Sequence, residues 1–108
     1  MSVVATATDG IRVRTVTGEI DHHTGEQLRR ALDVTGTIRP RIVIDMSRVT
    51  FMDSTGVNIL IAAYQAVTGA GGWIPLAGPT DSVLYVLHIV GVDDIIQCHP
   101  TLNEALAP

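Results

Sequence analysis

The chain has 108 residues, enough for one domain with a substantial core, and 46% hydrophobic against 17% charged residues marks it as globular rather than disordered. Its formal charge is −4, and every basic residue is an arginine lying between Arg12 and Arg48, which leaves no basic stripe for a nucleic-acid backbone or an anionic membrane surface. Cys98 stands alone, which excludes a disulfide framework and a thiolate metal cluster.

Residues 3–8 alternate weakly and end at Asp9-Gly10, a strong turn signal between strands; Ile11, Val13 and Val16 continue near strand period. An opening β-hairpin is expected, with Gly18-Glu19-Ile20-Asp21 leading out of it. Thr24-Gly25-Glu26-Gln27 has the form of a capping box, with Thr24 as the cap and Gln27 reaching back. Leu28, Ala31, Leu32 and Thr35 follow at helical spacing, and Gly36 stops this first helix.

Residues 41–45 then read as a short buried strand around the β-branched run Ile42-Val43-Ile44, covered on both faces, with a connector after it. A second helix starts at Ser54, carries no charged residue through Val67, and ends at the glycines of 69–72. Residues 73–77 are a plausible fourth strand, although Pro75 suits an edge or a strand end. A third helix spans 82–89 with Thr80 or Asp81 as cap, Gly91 ends it, and a last strand covers 95–98. Thr101-Leu102-Asn103-Glu104 is a second capping-box pattern, opening a short final helix through Ala107.

The order β-β-α-β-α-β-α-β-α predicts an α/β domain filling 1–108. Its mixed sheet has one antiparallel pair extended by parallel strands, packed with about four helices. The opening residues lack a basic segment and a long apolar segment, and the apolar run 57–67 is too short to span a bilayer. A cytoplasmic protein is the expectation.

Several chemistries are weighed and set aside. Asp21-His22-His23 resembles a phosphoesterase signature, but the further metal-binding Asp and His of such enzymes are missing. His22, His23, His88 and His99 match no familiar ligand spacing. Met52-Asp53-Ser54-Thr55-Gly56 is not a Gly-x-Ser-x-Gly nucleophile elbow, and an Asp before the serine opposes developing negative charge. No glycine-rich nucleotide loop occurs, so neither an enzyme nor a cofactor is expected.

Ser54, at a predicted helix start, reads first as a helix cap. Two features point further. Thr55 and Gly56 continue a small, hydroxyl-rich turn, and between Asp53 and Asp93 the sole charged residue is Asp81. Part of Ile59, Ala62, Ala63, Tyr64 and Ala66 is therefore expected to lie exposed as an uncharged docking face.

Gly18-Glu19-Ile20-Asp21-His22-His23-Thr24, Ile42-Val43-Ile44-Asp45 and Phe51-Met52-Asp53-Ser54-Thr55-Gly56-Val57 together resemble the bacterial anti-sigma factor antagonists, which are stand-alone STAS domains. The resemblance covers nearly the whole chain. It implies partner switching: the unphosphorylated antagonist binds an anti-sigma factor that is also a serine kinase, and so frees the sigma factor. The kinase phosphorylates the serine after the Asp, here Ser54, and a PP2C-type phosphatase reverses the step. By the same resemblance Asp21, His22, His23, Asp53, Thr55, Gly56 and Asn58 belong to the partner-binding surface of a monomer or weak dimer. Asn58 stands where that family commonly has Gly, and the later turns of the same helix lack the family's basic residues. The alternative is a STAS-fold scaffold or small-ligand or nucleotide-sensing module in which Ser54 is only a cap.

Overall fold

The computed structural model describes residues 1–107. Among these, five strands and four α-helices follow one another as β1 (Ser2–Thr8), β2 (Ile11–Ile20), α1 (Gly25–Ala31), β3 (Ile42–Met52), α2 (Ser54–Gly69), β4 (Leu76–Ala77), α3 (Asp81–Ile89), β5 (Cys98–His99) and α4 (Leu102–Leu106). The strands lie in the sheet in sequence order. β1 pairs antiparallel with β2, and every later pairing is parallel, as the alternating order predicts.

The hairpin closes through Asp9 at φ 52 and Gly10 at φ 78, the two positive angles that a two-residue turn of matching twist requires. One face of the sheet is covered by α1, α2 and α3 through Leu28, Leu60, Val67, Val83 and Leu87 against Val16, Ile20, Ile42, Ile44 and Leu76. Among the described residues the other face carries the short α4, where Ala105 packs with Ile11, Val43 and Ala77, flanked by Trp73. Ile42, Val43 and Ile44 therefore point alternately into two cores, and all three are buried. Burying each such side chain stabilises the fold by roughly 1.5–3 kcal/mol.

Four expectations are corrected. β3 does not stop at Asp45 but runs on to Met52, directly before α2, so no connector separates them. Beyond Ile44 its buried residues are Met46, Val49 and Met52, every third position, because register shifts between Thr15 and Thr17 and between Gly18 and Glu19 rotate the pairing with β2. α1 ends at Ala31 rather than near Gly36: Leu32 and Val34 are buried, but the chain has already left the helix. The Asp33 carboxylate there accepts the Thr35 N–H at 2.9 Å, a local turn that competes with helix. The fourth strand narrows to Leu76–Ala77, preceded by a single bridge from Trp73 to Arg41. The last strand is Cys98–His99, because Val92–Asp94 form a 3-10 turn and leave Ile95 exposed.

Candidate functional site

The parallel pairing of β2 with β3 brings two loops side by side. Its last matched pair is Ile20 with Met52, and just beyond it the Asp53 N–H donates to the Ile20 carbonyl at 3.2 Å. The loop after β2 (Asp21 to Thr24) and the start of α2 (Asp53 to Gly56) thus share one end of the sheet. Gly25 and Gly56 set how closely they approach. A Cβ on Gly25 would meet Thr55 Cγ2 at 2.9 Å and Ile59 Cδ1 at 3.0 Å, and a Cβ on Gly56 would meet Met52 Cγ at 2.5 Å and Ile20 Cγ2 at 2.8 Å.

Asp21 shapes its own loop. Its Oδ1 accepts the N–H groups of His23 at 2.9 Å and Thr24 at 3.1 Å. Partial loss of hydration pushes the Asp21 carboxyl up, but the His23 and Thr24 N–H donors and the Thr24 hydroxyl together hold it below its ordinary value. The Thr24 hydroxyl donates to the Glu19 carbonyl and accepts the Asp21 N–H, both at 2.9 Å. It makes no cap hydrogen bond to α1, so the capping-box expectation for Thr24 is corrected: the hydroxyl is engaged in closing the preceding loop. His22 and His23 are exposed, with ring centroids 3.9 Å apart.

At α2 the cap is Asp53, not Ser54. Asp53 has an extended backbone (φ −103, ψ −169), and its Oδ1 accepts the N–H of Thr55 at 2.9 Å and of Gly56 at 3.4 Å. Ser54 is the first helical residue and is exposed, and among the described residues its hydroxyl makes no hydrogen bond. Thr55 is half-buried against α1, Gly56 is buried, and Asn58 is exposed one turn on from Ser54. All the predicted site residues therefore gather at one end of the molecule. Gly25, Thr24 and Glu19 belong with them as positioning residues. All three lie in stretches the sequence had singled out, the Gly18–Thr24 block and the Thr24–Gln27 capping-box pattern, but neither pattern shows their positioning roles.

Ser54, Asn58, Ala62 and Ala66 follow at four-residue intervals and are all exposed, forming an uncharged stripe along α2. Beside it, a groove of about 410 Å³ between α1 and α2 is lined by Arg29, Leu32, Ile59, Ala62, Ala63 and Ala66. The expected apolar face is thinner than the sequence implies, since Ala63 is buried and Ile59 and Tyr64 are half-buried. Of the larger exposed apolar side chains, Leu84, Tyr85 and Ile89 lie on α3, Phe51 lies near the end of β3, and Ile38, Val90 and Ile95 lie in connecting segments. Among the described residues no three His, Cys, Asp or Glu side chains gather where they would hold a metal ion, and no helix is long and apolar enough to cross a membrane.

The sequence profile of the STAS domain matches residues 2–105. The chain belongs to the STAS domain family. This STAS domain is 33% identical over 84 residues to the anti-sigma-B factor antagonist of Listeria monocytogenes, covering 76% of this chain and 73% of that protein. It is 30% identical over 108 residues to the anti-sigma-F factor antagonist RsfB of Mycobacterium tuberculosis, covering 97% of this chain and 88% of that one. The crystal structure of an anti-sigma factor antagonist from Mycobacterium paratuberculosis superposes with a TM-score of 0.88 at 31% identity, over 98% of this chain and 91% of that one.

Proposed function

We propose that this STAS domain is an anti-sigma factor antagonist switched by phosphorylation of Ser54. In its unphosphorylated form it binds an anti-sigma factor that is also a serine kinase, and the sigma factor is released. The docking surface is the end of the molecule formed by Asp21, His22, His23, Asp53 and Thr55, with Gly56 buried beneath as the close-packing residue, extended along Asn58 and the uncharged stripe of α2. The reading makes the domain a cytoplasmic regulator rather than a catalyst, with a PP2C-type phosphatase restoring the active form.

One observation carries the proposal: Asp53 performs the capping, which leaves the Ser54 hydroxyl exposed and without a structural task. A phosphate there brings roughly −1.5 to −2 charges at neutral pH. The Thr55 and Gly56 N–H groups are already taken by Asp53, so it is the positive dipole end of α2 that accommodates that charge within the domain. A partner surface already facing the Asp53 carboxylate meets added repulsion instead, so the modification acts on binding and leaves the fold alone. The names of the relatives support the partner class.

The test is incubation with a cognate anti-sigma factor kinase and ATP, followed by mapping of the phosphate. Ser54→Ala is expected to stay bound in the presence of ATP, and Ser54→Asp to bind at least about tenfold more weakly, about 1.4 kcal/mol. Phosphate on another residue, or equal binding of both variants, refutes the reading.

A further inference from the structure

The two edges of the sheet differ in a way the partner switch does not use. β5, at one edge, is two residues long, followed by Pro100 and preceded by Asp93 and Asp94. Short length, proline and carboxylates are the usual means of keeping an edge from pairing. β1, at the other edge, has none of them. Its seven residues, Ser2-Val3-Val4-Ala5-Thr6-Ala7-Thr8, include no charge and no proline. Its register with β2 runs unbroken from Ser2 opposite Thr17 to Thr8 opposite Ile11, so no bulge twists it aside. From Val4 to Thr8 every residue is exposed, Val4 by 55%. In an antiparallel edge strand alternate residues turn both N–H and C=O outward, and among the described residues β1 has a strand partner only on its β2 side.

We infer that β1 is an interface for a second copy of this chain: two β1 strands pair antiparallel about a two-fold axis and join two five-stranded sheets into one of ten. A second copy fits because antiparallel self-pairing is isologous, each strand meeting the groups it offers. Full overlap sets Ala5 opposite its own copy, Val4 opposite Thr6, Val3 opposite Ala7 and Ser2 opposite Thr8, all uncharged. Charge does not oppose it. The nearest arginines, Arg12 and Arg14, are on β2 and direct their guanidinium groups to the Thr37 hydroxyl and the Ala31 carbonyl. The two β2 strands would stand roughly 14 Å apart across the joint, beyond the ~8 Å screening length at physiological salt.

The edges also limit the assembly. Because β5 is guarded, pairing at β1 closes at two copies rather than propagating into a filament. A seven-residue ladder is roughly 24 Å long, and it buries less than the ~800 Å² per partner of a standard interface, so the dimer is concentration-dependent. The ladder reaches only to Thr17 on β2, short of the Ile20–Asp53 junction, and leaves the Ser54 loops uncovered.

The experiment is sedimentation equilibrium of the full chain from micromolar to millimolar concentration, with Ala5→Lys and Ala5→Asp beside the wild type. The wild type is expected to pass from 11.5 kDa to twice that mass. Each variant places like charges opposite one another and stays monomeric, and an equimolar mixture of the two dimerises again. Hydrogen exchange of the wild type supplies a reading independent of any variant: alternate amides of β1 gain protection as concentration rises. A wild type that is monomeric at millimolar concentration, variants that dimerise like the wild type, a mixture that stays monomeric, or β1 exchange independent of concentration overturns the inference.

Discussion

The Asp53 carboxylate holds the Thr55 N–H at 2.9 Å, one residue ahead of the serine that sequence reading had cast as the cap. Capping and the exposed hydroxyl are thereby separated onto neighbours. Asp53→Ala is expected to destabilise the domain by about 0.5–2 kcal/mol, while Ser54→Ala stays within about 0.5 kcal/mol of the wild type. Urea denaturation of both variants checks the order, and a larger loss at Ser54 would contradict it.

Charge at position 54 should be tolerated by the fold. An acidic side chain in the first turn of α2 gains about 0.3–1 kcal/mol from the helix dipole, partly offset by the adjacent Asp53 carboxylate. Ser54→Asp should therefore melt near the wild-type temperature, with a difference that shrinks as salt is added. Calorimetry at low and high ionic strength measures this.

Gly56 is constrained by its neighbours rather than by its backbone. Alanine gains about 1 kcal/mol of helix propensity over glycine. Its Cβ, however, would lie 2.5 Å from Met52 Cγ and 2.8 Å from Ile20 Cγ2, and overpacking of that kind costs about 1–3 kcal/mol. Gly56→Ala is expected to lower stability by up to about 2 kcal/mol net, whereas the same change at Gly69, whose Cβ position is open, should raise it. Paired denaturation curves decide the sign at each site.

His88 and Asp93 give stability a pH dependence. His88 Nδ1 lies 2.8 Å from Asp93 Oδ2, and the hydrogen bond to that carboxylate, with its charge, raises the histidine above its ordinary value of 6.5. A raised folded value means the protonated histidine is the favoured form. The contribution is fully present below about pH 6.5 and is lost as pH rises through the folded value. The stability difference between wild type and His88→Asn should accordingly be larger at acid than at alkaline pH. An NMR titration of the His88 ring measures the shift directly.

The element order was legible because it rests on composition and spacing, whereas the grouping of the site was expected only from the resemblance to the anti-sigma factor antagonists. The Asp9-Gly10 turn, the uniformly apolar 42–44 and the uncharged second helix each carry an unambiguous local signal. The upper half of β3 was not legible, because Met46, Val49 and Met52 are buried at a period of three, which matches neither strand nor helix and arises from register shifts with β2. The cap was misplaced because Asp and Ser are equally good caps, and only the extended backbone at Asp53 distinguishes them. Thr24 was misread for a similar reason: a capping-box pattern does not reveal that its hydroxyl is already occupied by Glu19 and Asp21.

The division of tasks between Asp53 and Ser54 also bears on how the regulator can fail. Cellular quality control responds to the population of unfolded chain, and a change that leaves folding free energy intact escapes it. Loss of the Ser54 hydroxyl is such a change, because among the described residues no hydrogen bond depends on it. On the proposed reading, a cell that lost it would accumulate a normally abundant, permanently engaged antagonist, whereas loss of Asp53 would lower the amount of protein together with its control.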